Sequence, residues 1–361
     1  IVSIHDHGAG GHLNCLTELV EETGGFIELD NLPIGDPTLS NKEIIGNESQ
    51  ERMGLIIKRE NIHEFIQICE RERAPVYIVG KVTDDGRFTI YSEKTNRKCV
   101  DLDLGHFFGS SPQTILKDKS VSKKYNQIKY STKLVHKYVE QLFSLESVGC
   151  KDWLTNKVDR CVGGKVAKQQ CVGELQLPLN NCGVMALDFS TRHGVATSIG
   201  HSSISALIDP ESGSKNSIAE ALTNIIWAPI ENNLKGVSLS ANWMWPCRNY
   251  GEDARLYKAV DSLSKFAIEL GINIPTGKDS LSMNQKYEDI EVKSPGTVII
   301  SATAHCSDIY NIIEPPLKAN KGSVFYINLS SDDYKLGGSA FSQIIGNIGV
   351  DTPTINDSKY F

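Results

Sequence analysis

Apolar positions with helical spacing at Leu13, Leu16, Leu19 and Val20 predict a helix over 14–21, opening at the glycines of residues 8–11. Residues 53–57 then read as a buried strand. Residues 60–72 read as a second helix with Ile62, Phe65, Ile66 and Cys69 on one face. The stretches 74–83 and 87–91 predict a hairpin about Asp84-Asp85-Gly86, a strong turn signal. This alternation suggests an α/β layer ending near Leu104. Residues 105–130 are polar and basic and read as a connection, followed by an amphipathic helix over 134–145. Strand and turn signals resume over 155–166, and strands are expected at 183–189, 204–208, 236–239 and 297–304. Helices are expected at 214–225, 252–269 and 338–345, and 323–329 reads as the first strand of a further domain. No tandem repeat is present, which argues against a solenoid.

Composition narrows the class. A chain of 361 residues accommodates two ordinary domains, and 40% hydrophobic with 22% charged residues is a soluble globular balance. A net charge of −7 argues against a nucleic-acid binder. The lysine-rich run 117–133, the basic exception, reads as a solvated linker. Nine cysteines without a C-x-x-C pair point away from a disulfide framework or a zinc site and toward reduced thiols in the cytoplasm. No apolar run reaches membrane-span length, and no signal peptide is apparent. The first residue is Ile1 rather than Met, so an internal fragment is expected.

Candidate chemistry concentrates in the first 53 residues. Ser3-Ile4-His5-Asp6-His7-Gly8-Ala9-Gly10-Gly11 places a carboxylate at a strand end beside a glycine-rich helix start. That pairing suits a metal ion held by Asp6 and a phosphate facing the helix. His5 and His7 flank Asp6, with packing or helix-start roles as the competing reading. Gly35-Asp36-Pro37-Thr38-Leu39-Ser40 and Asn47-Glu48-Ser49-Gln50-Glu51-Arg52-Met53 follow. There, Glu48, Glu51 and Arg52 also fit a plain salt-bridged end. Glu220 and Asn224 stand four apart, so a helix would put them on one face, either sharing a cation or facing solvent. Gly277-Lys278-Asp279-Ser280 has the look of a phosphate-holding loop without Walker A spacing, and a strand-connecting turn is equally compatible. Lys165 is a weaker nucleotide candidate, and Trp243 and Trp245 read as core or interface residues.

These stretches belong to an ordered set. It continues with Asp159-Arg160-Cys161-Val162-Gly163-Gly164 and Gln169-Gln170, then Glu220-Ala221-Leu222-Thr223-Asn224 and Leu239-Ser240-Ala241-Asn242-Trp243. Gly251-Glu252-Asp253-Ala254 and Pro275-Thr276-Gly277-Lys278-Asp279-Ser280-Leu281-Ser282-Met283 complete it. The set resembles the large, glutamine-dependent phosphoribosylformylglycinamidine synthase family of purine biosynthesis. The resemblance implies an α/β (α+β) fold of A and B domains like those of aminoimidazole ribonucleotide synthetase, fragmentary at both ends. Residues 1–147 would be the end of the first B domain plus a connection, 148–318 the second A domain, and 319–361 the start of the second B domain. An upstream A domain with a catalytic histidine and a downstream glutaminase domain would be missing, leaving no catalytic residue here.

The implied reaction is ATP-dependent amidation of formylglycinamide ribonucleotide by glutamine-derived ammonia, through a phosphorylated amide. By the same resemblance Asp6 holds Mg²⁺, and Glu48, Ser49 and Gln50 bind the substrate. Lys278, Asp279, Ser280 and Asn180 contact nucleotide. Glu220 and Asn224 hold Mg²⁺ at an auxiliary ADP site together with Asn181. The family has Asp where this chain has Asn181, which removes one negative charge and puts that site's affinity in question. Two other readings compete. One is a non-catalytic nucleotide-binding module that braces its parent with Mg-ADP. The other is a shorter relative of the superfamily that phosphorylates another small substrate.

Overall fold

Two separate hydrophobic cores organise the chain, one in each of two units, Ile1–Thr114 and Ile115–Phe361. The computed structural model describes all residues except 49–50, 110–114, 122, 156–157, 159, 162, 320–321 and 331–333.

In the first unit the order is β1 (Ser3–Asp6), α1 (Gly11–Leu19), β2 (Gly25–Glu28), α2 (Asn41–Gly46), β3 (Met53–Ile56) and α3 (Ile62–Arg71). Then come β4 (Gly80–Val82), β5 (Arg87–Ser92), β6 (Arg97–Asp103) and α4 (Leu104–Phe107). Strands β1 and β3 pair antiparallel, while a second sheet runs β4-β2-β5-β6. Alternation in β5 drives Phe88 and Ile90 into the core beside Leu16, Ile27 and Leu29. Each fully buried side chain of this size contributes about 1.5–3 kcal/mol. The expected hairpin between 74–83 and 87–91 does not form. Strand β2 lies between β4 and β5, antiparallel to the first and parallel to the second. Asp85 closes its own turn by accepting from Thr83 Oγ1 and Arg87 N, so the turn signal is met without strand pairing. The real hairpin is β5–β6.

The second unit contains α5 (Val135–Ser144), α6 (Asp152–Thr155), β7 (Val166–Lys168), β8 (Cys182–Ala186), β9 (Gly194–His201), α7 (Ser203–Ile208) and α8 (Pro210–Ile225). It continues with β10 (Val237–Met244), α9 (Glu252–Leu270), β11 (Asn273–Ser280), β12 (Asn284–Tyr287), β13 (Ile290–Lys293), β14 (Thr297–Cys306) and α10 (Ala340–Ile345). A six-stranded sheet runs β11-β10-β14-β9-β8-β7, antiparallel except for the parallel β10–β11 pair. Helix α8 packs on β9 and β14 through Ile218, Ala221, Leu222 and Ile225, all in the core.

Two expectations fail here. Residues 204–208 are helix α7, since a five-residue apolar run carries no period that separates strand from helix. Residues 323–328 form no strand, and Val324, Phe325, Tyr326 and Ile327 are exposed. The lysine-rich run is also more than a solvated linker. Asp118 accepts from Gly251 N at 2.7 Å and its own N–H donates to Asp253 at 3.0 Å. Lys123 Nζ donates to Glu252 at 2.7 Å, and the Tyr125 hydroxyl donates to Leu207 O. The Gly-Glu-Asp-Ala stretch at the start of α9 therefore anchors this segment of its own unit.

Candidate functional site

Asp6 ends β1, where it stands opposite Met53 of β3, and the next N–H, of His7, donates to Arg52 O at 3.0 Å. The chain then turns through Gly10 into α1, whose N-cap makes no side-chain hydrogen bond, while Gly11 N donates to Gly8 O at 3.1 Å. Gly11 has φ +62, and a Cβ there would lie 2.5 Å from Asn47 O and 2.6 Å from the Gly46 carbonyl carbon. The helix start thus rests directly on the backbone at the end of α2, one residue before Glu48. Asp6 closes the β1–β3 ladder beside Gly8, and the opening of α1 that follows packs on Asn47, the residue before Glu48. Both carboxylates are exposed. Ser49 and Gln50 lie outside the described residues.

The Gly-Asp-Pro-Thr-Leu-Ser stretch supports this end of the unit. Asp36 accepts from Thr38 N and Oγ1, and Ser40 caps α2 in a reciprocal box with Glu43. A concavity lined by Leu39, Ser40, Lys42, Glu43, Gly46 and Asn47 adjoins the Glu48 segment. Of the flanking histidines, His7 is buried and His5 is half-buried, and both have partners within the unit. His5 Nε2 pairs with Glu18, and His7 Nε2 is 2.8 Å from His12 Nδ1 in an edge-to-face pair. Sequence reading passed over His12, which is only 4% exposed.

Burial pushes the His12 imidazole down to about 4, with the charges of His7 and Arg52 acting in the same direction. The folded value lies below the unfolded one, so the unfolded state binds more protons in between. Stability is complete above the ordinary imidazole value and falls as pH drops toward that of the folded group. We expect a loss on the order of 3 kcal/mol in the first unit across that window. Hydrogen exchange of the β5 amides, compared between the parent chain and His12→Gln, measures it. Identical acid slopes in the two proteins contradict the assignment.

In the second unit Glu220 and Asn224 sit one turn apart on α8. Glu220 Oε2 accepts from His201 N at 2.6 Å, and Asn224 Nδ2 donates to Ile199 O at 3.1 Å. Asn181 Nδ2 reaches Asn224 Oδ1 at 3.5 Å, so these three side chains gather at the end of β9. Gly200 makes this possible: a Cβ there would lie 2.2 Å from Ser217 O and 2.3 Å from Ala221 N, inside α8. Asn180 is engaged in its own loop, donating to Gln169 O and Cys182 O and accepting from Cys182 N, which fixes the direction of Asn181.

Lys278, Asp279 and Ser280 occupy β11, an edge strand parallel to β10, and not a loop; Lys278 and Asp279 are exposed. Pro275 fits there because an edge strand leaves one row of backbone groups unpaired. Lys165 donates to Leu187 O and lies over the Phe189 ring. Trp245 is buried in the unit, with Trp243 half-buried beside it. Lys168, also unremarked in the sequence, is buried with its ammonium on Ile313 O at 3.0 Å, and burial lowers its pKa.

Comparison with known proteins agrees with this architecture. Residues 150–305 match the family model of the FGAR-AT PurM_N-like domain, and residues 1–93 match the AIR synthase related protein, C-terminal domain. Human phosphoribosylformylglycinamidine synthase is 36% identical over 377 residues, covering 99% of this chain and 28% of the human protein. The Drosophila melanogaster protein of that name is 39% identical over 387 residues, covering 99% of this chain and 28% of its own length. An Arabidopsis thaliana protein described as a probable chloroplastic/mitochondrial form is 36% identical over 381 residues, with 100% of this chain and 26% of that protein covered. The chain thus spans about a quarter of the length of these relatives. Among solved structures, PurLQS from Thermotoga maritima aligns with TM-score 0.62 at 17% identity, over 87% of this chain and 48% of that one. Thermotoga maritima PurL complexed with FGAR aligns at 0.57 and 16% identity, over 87% and 46%. At such identity these two show a shared fold, that of AIR-synthase-related α/β domains. No helix among the described residues is long and apolar enough to cross a membrane.

Proposed function

Since the chain belongs to the phosphoribosylformylglycinamidine synthase family, we propose that it supplies part of an ATP- and formylglycinamide-ribonucleotide-binding site to a glutamine-dependent ligase. The reading is supported chiefly by the contact of Gly11 with Gly46 and Asn47, which sets an uncapped helix start, close after Asp6 in the chain, against the residue before Glu48. Exposed carboxylate oxygens are the hard donors Mg²⁺ takes, so Asp6 fits such an ion. When bound, Mg²⁺ neutralises charge on the triphosphate during phosphoryl transfer. The chain's own groups bind and orient. First-turn N–H groups of α1 face phosphate, and Glu48 with Ser49 and Gln50 holds the ribonucleotide. Within the second unit, taken by itself, Lys278, Asp279 and Ser280 act as nucleotide contacts. Holding the amide in line is what turns binding into rate. Among the described residues this reading assigns binding roles and no nucleophile, and the chain alone is expected to form no amidine from ATP, substrate and ammonia. Glutamine hydrolysis belongs to another part of the parent enzyme, working with reduced thiols in the cytoplasm.

The cluster of Asn181, Glu220 and Asn224 supports a second role for the same chain, an auxiliary Mg-ADP site that braces the fold. One carboxylate and two amide oxygens suit Mg²⁺, with a single negative charge among them. Titrating Mg-ADP against thermal stability separates the roles. Glu220→Ala is expected to abolish the stabilisation at this site, and Asp6→Ala to leave it. Asn181→Asp is expected to tighten Mg-ADP by about tenfold, ~1.4 kcal/mol. Stabilisation that survives Glu220→Ala rules this bracing site out.

A further inference from the structure

We propose that His193, Glu231 and His305 form a binding site for a borderline divalent transition cation, with Zn²⁺ the best fit. One ligand atom from each residue lies within 4.8 Å of the others. His305 Nδ1 is 2.9 Å and His193 Nδ1 3.6 Å from the two Glu231 carboxylate oxygens. The two imidazoles stack 5.3 Å apart and within 13° of parallel, so both present Nδ1 to the same carboxylate. Tetrahedral zinc bonds of about 2.0–2.1 Å put ligand atoms roughly 3.4 Å apart, and these atoms already bracket that spacing. Small rotamer adjustments close the shell without moving backbone.

The backbone is fixed from several directions. His305 is outward-facing on β14 and paired with Val195 of β9. Its carbonyl accepts from Glu231 N at 3.0 Å, and Ile230 bridges to Cys306. The His193 carbonyl accepts from Leu187 N at 3.0 Å, and Ile309 N donates to Arg192 O at 2.8 Å. Three chain segments therefore carry their ligands on hydrogen-bonded frames, which lowers the ordering cost of binding. Two imidazoles and one carboxylate favour Zn²⁺ over Mg²⁺, whose preferred ligands are oxygens. The partial exposure of all three residues leaves a fourth position for water. The site lies in the second unit, apart from Asn181, Glu220 and Asn224 and built from none of them. Bound metal would clip the 229–231 loop to the ends of β9 and β14.

Co²⁺ is the probe, added to the reduced, metal-free chain in saturating Mg²⁺, so that hard oxygen sites are filled. The expected result is one equivalent taken up with visible d–d absorption and no thiolate charge-transfer band, then displacement by Zn²⁺. His193→Ala and His305→Ala should each weaken uptake by more than about a hundredfold, beyond the roughly ten- to hundredfold loss usual for an outer-shell partner. Cys150→Ser with Cys161→Ser, at exposed thiols, should change nothing. Circular dichroism of the histidine variants shows that they are folded, since both residues are surface-accessible. No uptake, uptake indifferent to His305→Ala, or a charge-transfer band lost with the two cysteines each overturn the site.

Discussion

Gly11→Ala is expected to destabilise the first unit by about 2–4 kcal/mol and to weaken Mg-ATP there by tenfold or more. A left-handed conformation costs an L-residue roughly 1–2 kcal/mol, and forcing a methyl into occupied space costs about 1–3 more. The occupied space is backbone, Asn47 O and the Gly46 carbonyl carbon, which has no rotamer through which to yield. Either α1 lifts or the Glu48 segment moves away, and in both cases the two halves of the proposed pocket part. Gly46→Ala is the control on the other side of the contact. A Cβ there meets nothing within 4 Å, and alanine in a helix gains up to about 1 kcal/mol over glycine. Denaturant unfolding followed by hydrogen exchange in β5 reads stability, and calorimetry reads Mg-ATP. Equal behaviour of the two variants would mean that the Gly11 contact does not set the site.

Glu252→Ala is expected to cost the second unit about 3–5 kcal/mol, the penalty for stranding a buried partner charge. Glu252 is 7% exposed and accepts from Trp245 Nε1 at 3.1 Å and Lys123 Nζ at 2.7 Å, with Arg255 Nε at 3.4 Å. Arg255 is equally buried, and its Nε has no hydrogen-bond acceptor, so the Glu252 carboxylate is the charge that offsets it there. Alanine removes that charge and leaves the indole N–H unpaired. Glu252→Gln keeps an acceptor for Trp245 and should lose less. Lys123→Ala, at a partly exposed pair, should lose under about 1 kcal/mol. Thermal unfolding ranks the three, and a Lys123 effect as large as that of Glu252→Ala would contradict the burial argument.

What the sequence made legible follows from period and local chemistry. Helix α9 was found almost to the residue because its length carries the 3.6-residue repeat through several turns, while α8 was found to its last residue but without its first turn, which opens at Pro210. The Asp6-to-Gly11 turn was legible because a carboxylate followed by glycines has few structural uses. Strand β2 was missed because four residues hold too little pattern, and missing it produced the false hairpin across 74–91. Helix α7 was read as a strand for the same reason. Long-range closure escaped too: no local signal links His7 to His12, Asp118 to Gly251, or His193 to Glu231 and His305. The lysine run looked solvated because its partners lie far along the chain in α9. Lys278, Asp279 and Ser280 read as a loop because Pro275 and Gly277 mark turns, and an edge strand tolerates both.

The direct test is Mn²⁺-induced broadening of backbone amide resonances in the isotope-labelled chain, compared between the parent and Asp6→Asn. If Asp6 and Glu48 border a common metal-nucleotide pocket, Mn²⁺ with ATP broadens residues 6–13 and 46–48 together, and Asp6→Asn removes both effects at once. Broadening of one segment without the other, or persistence of both in Asp6→Asn, would contradict it.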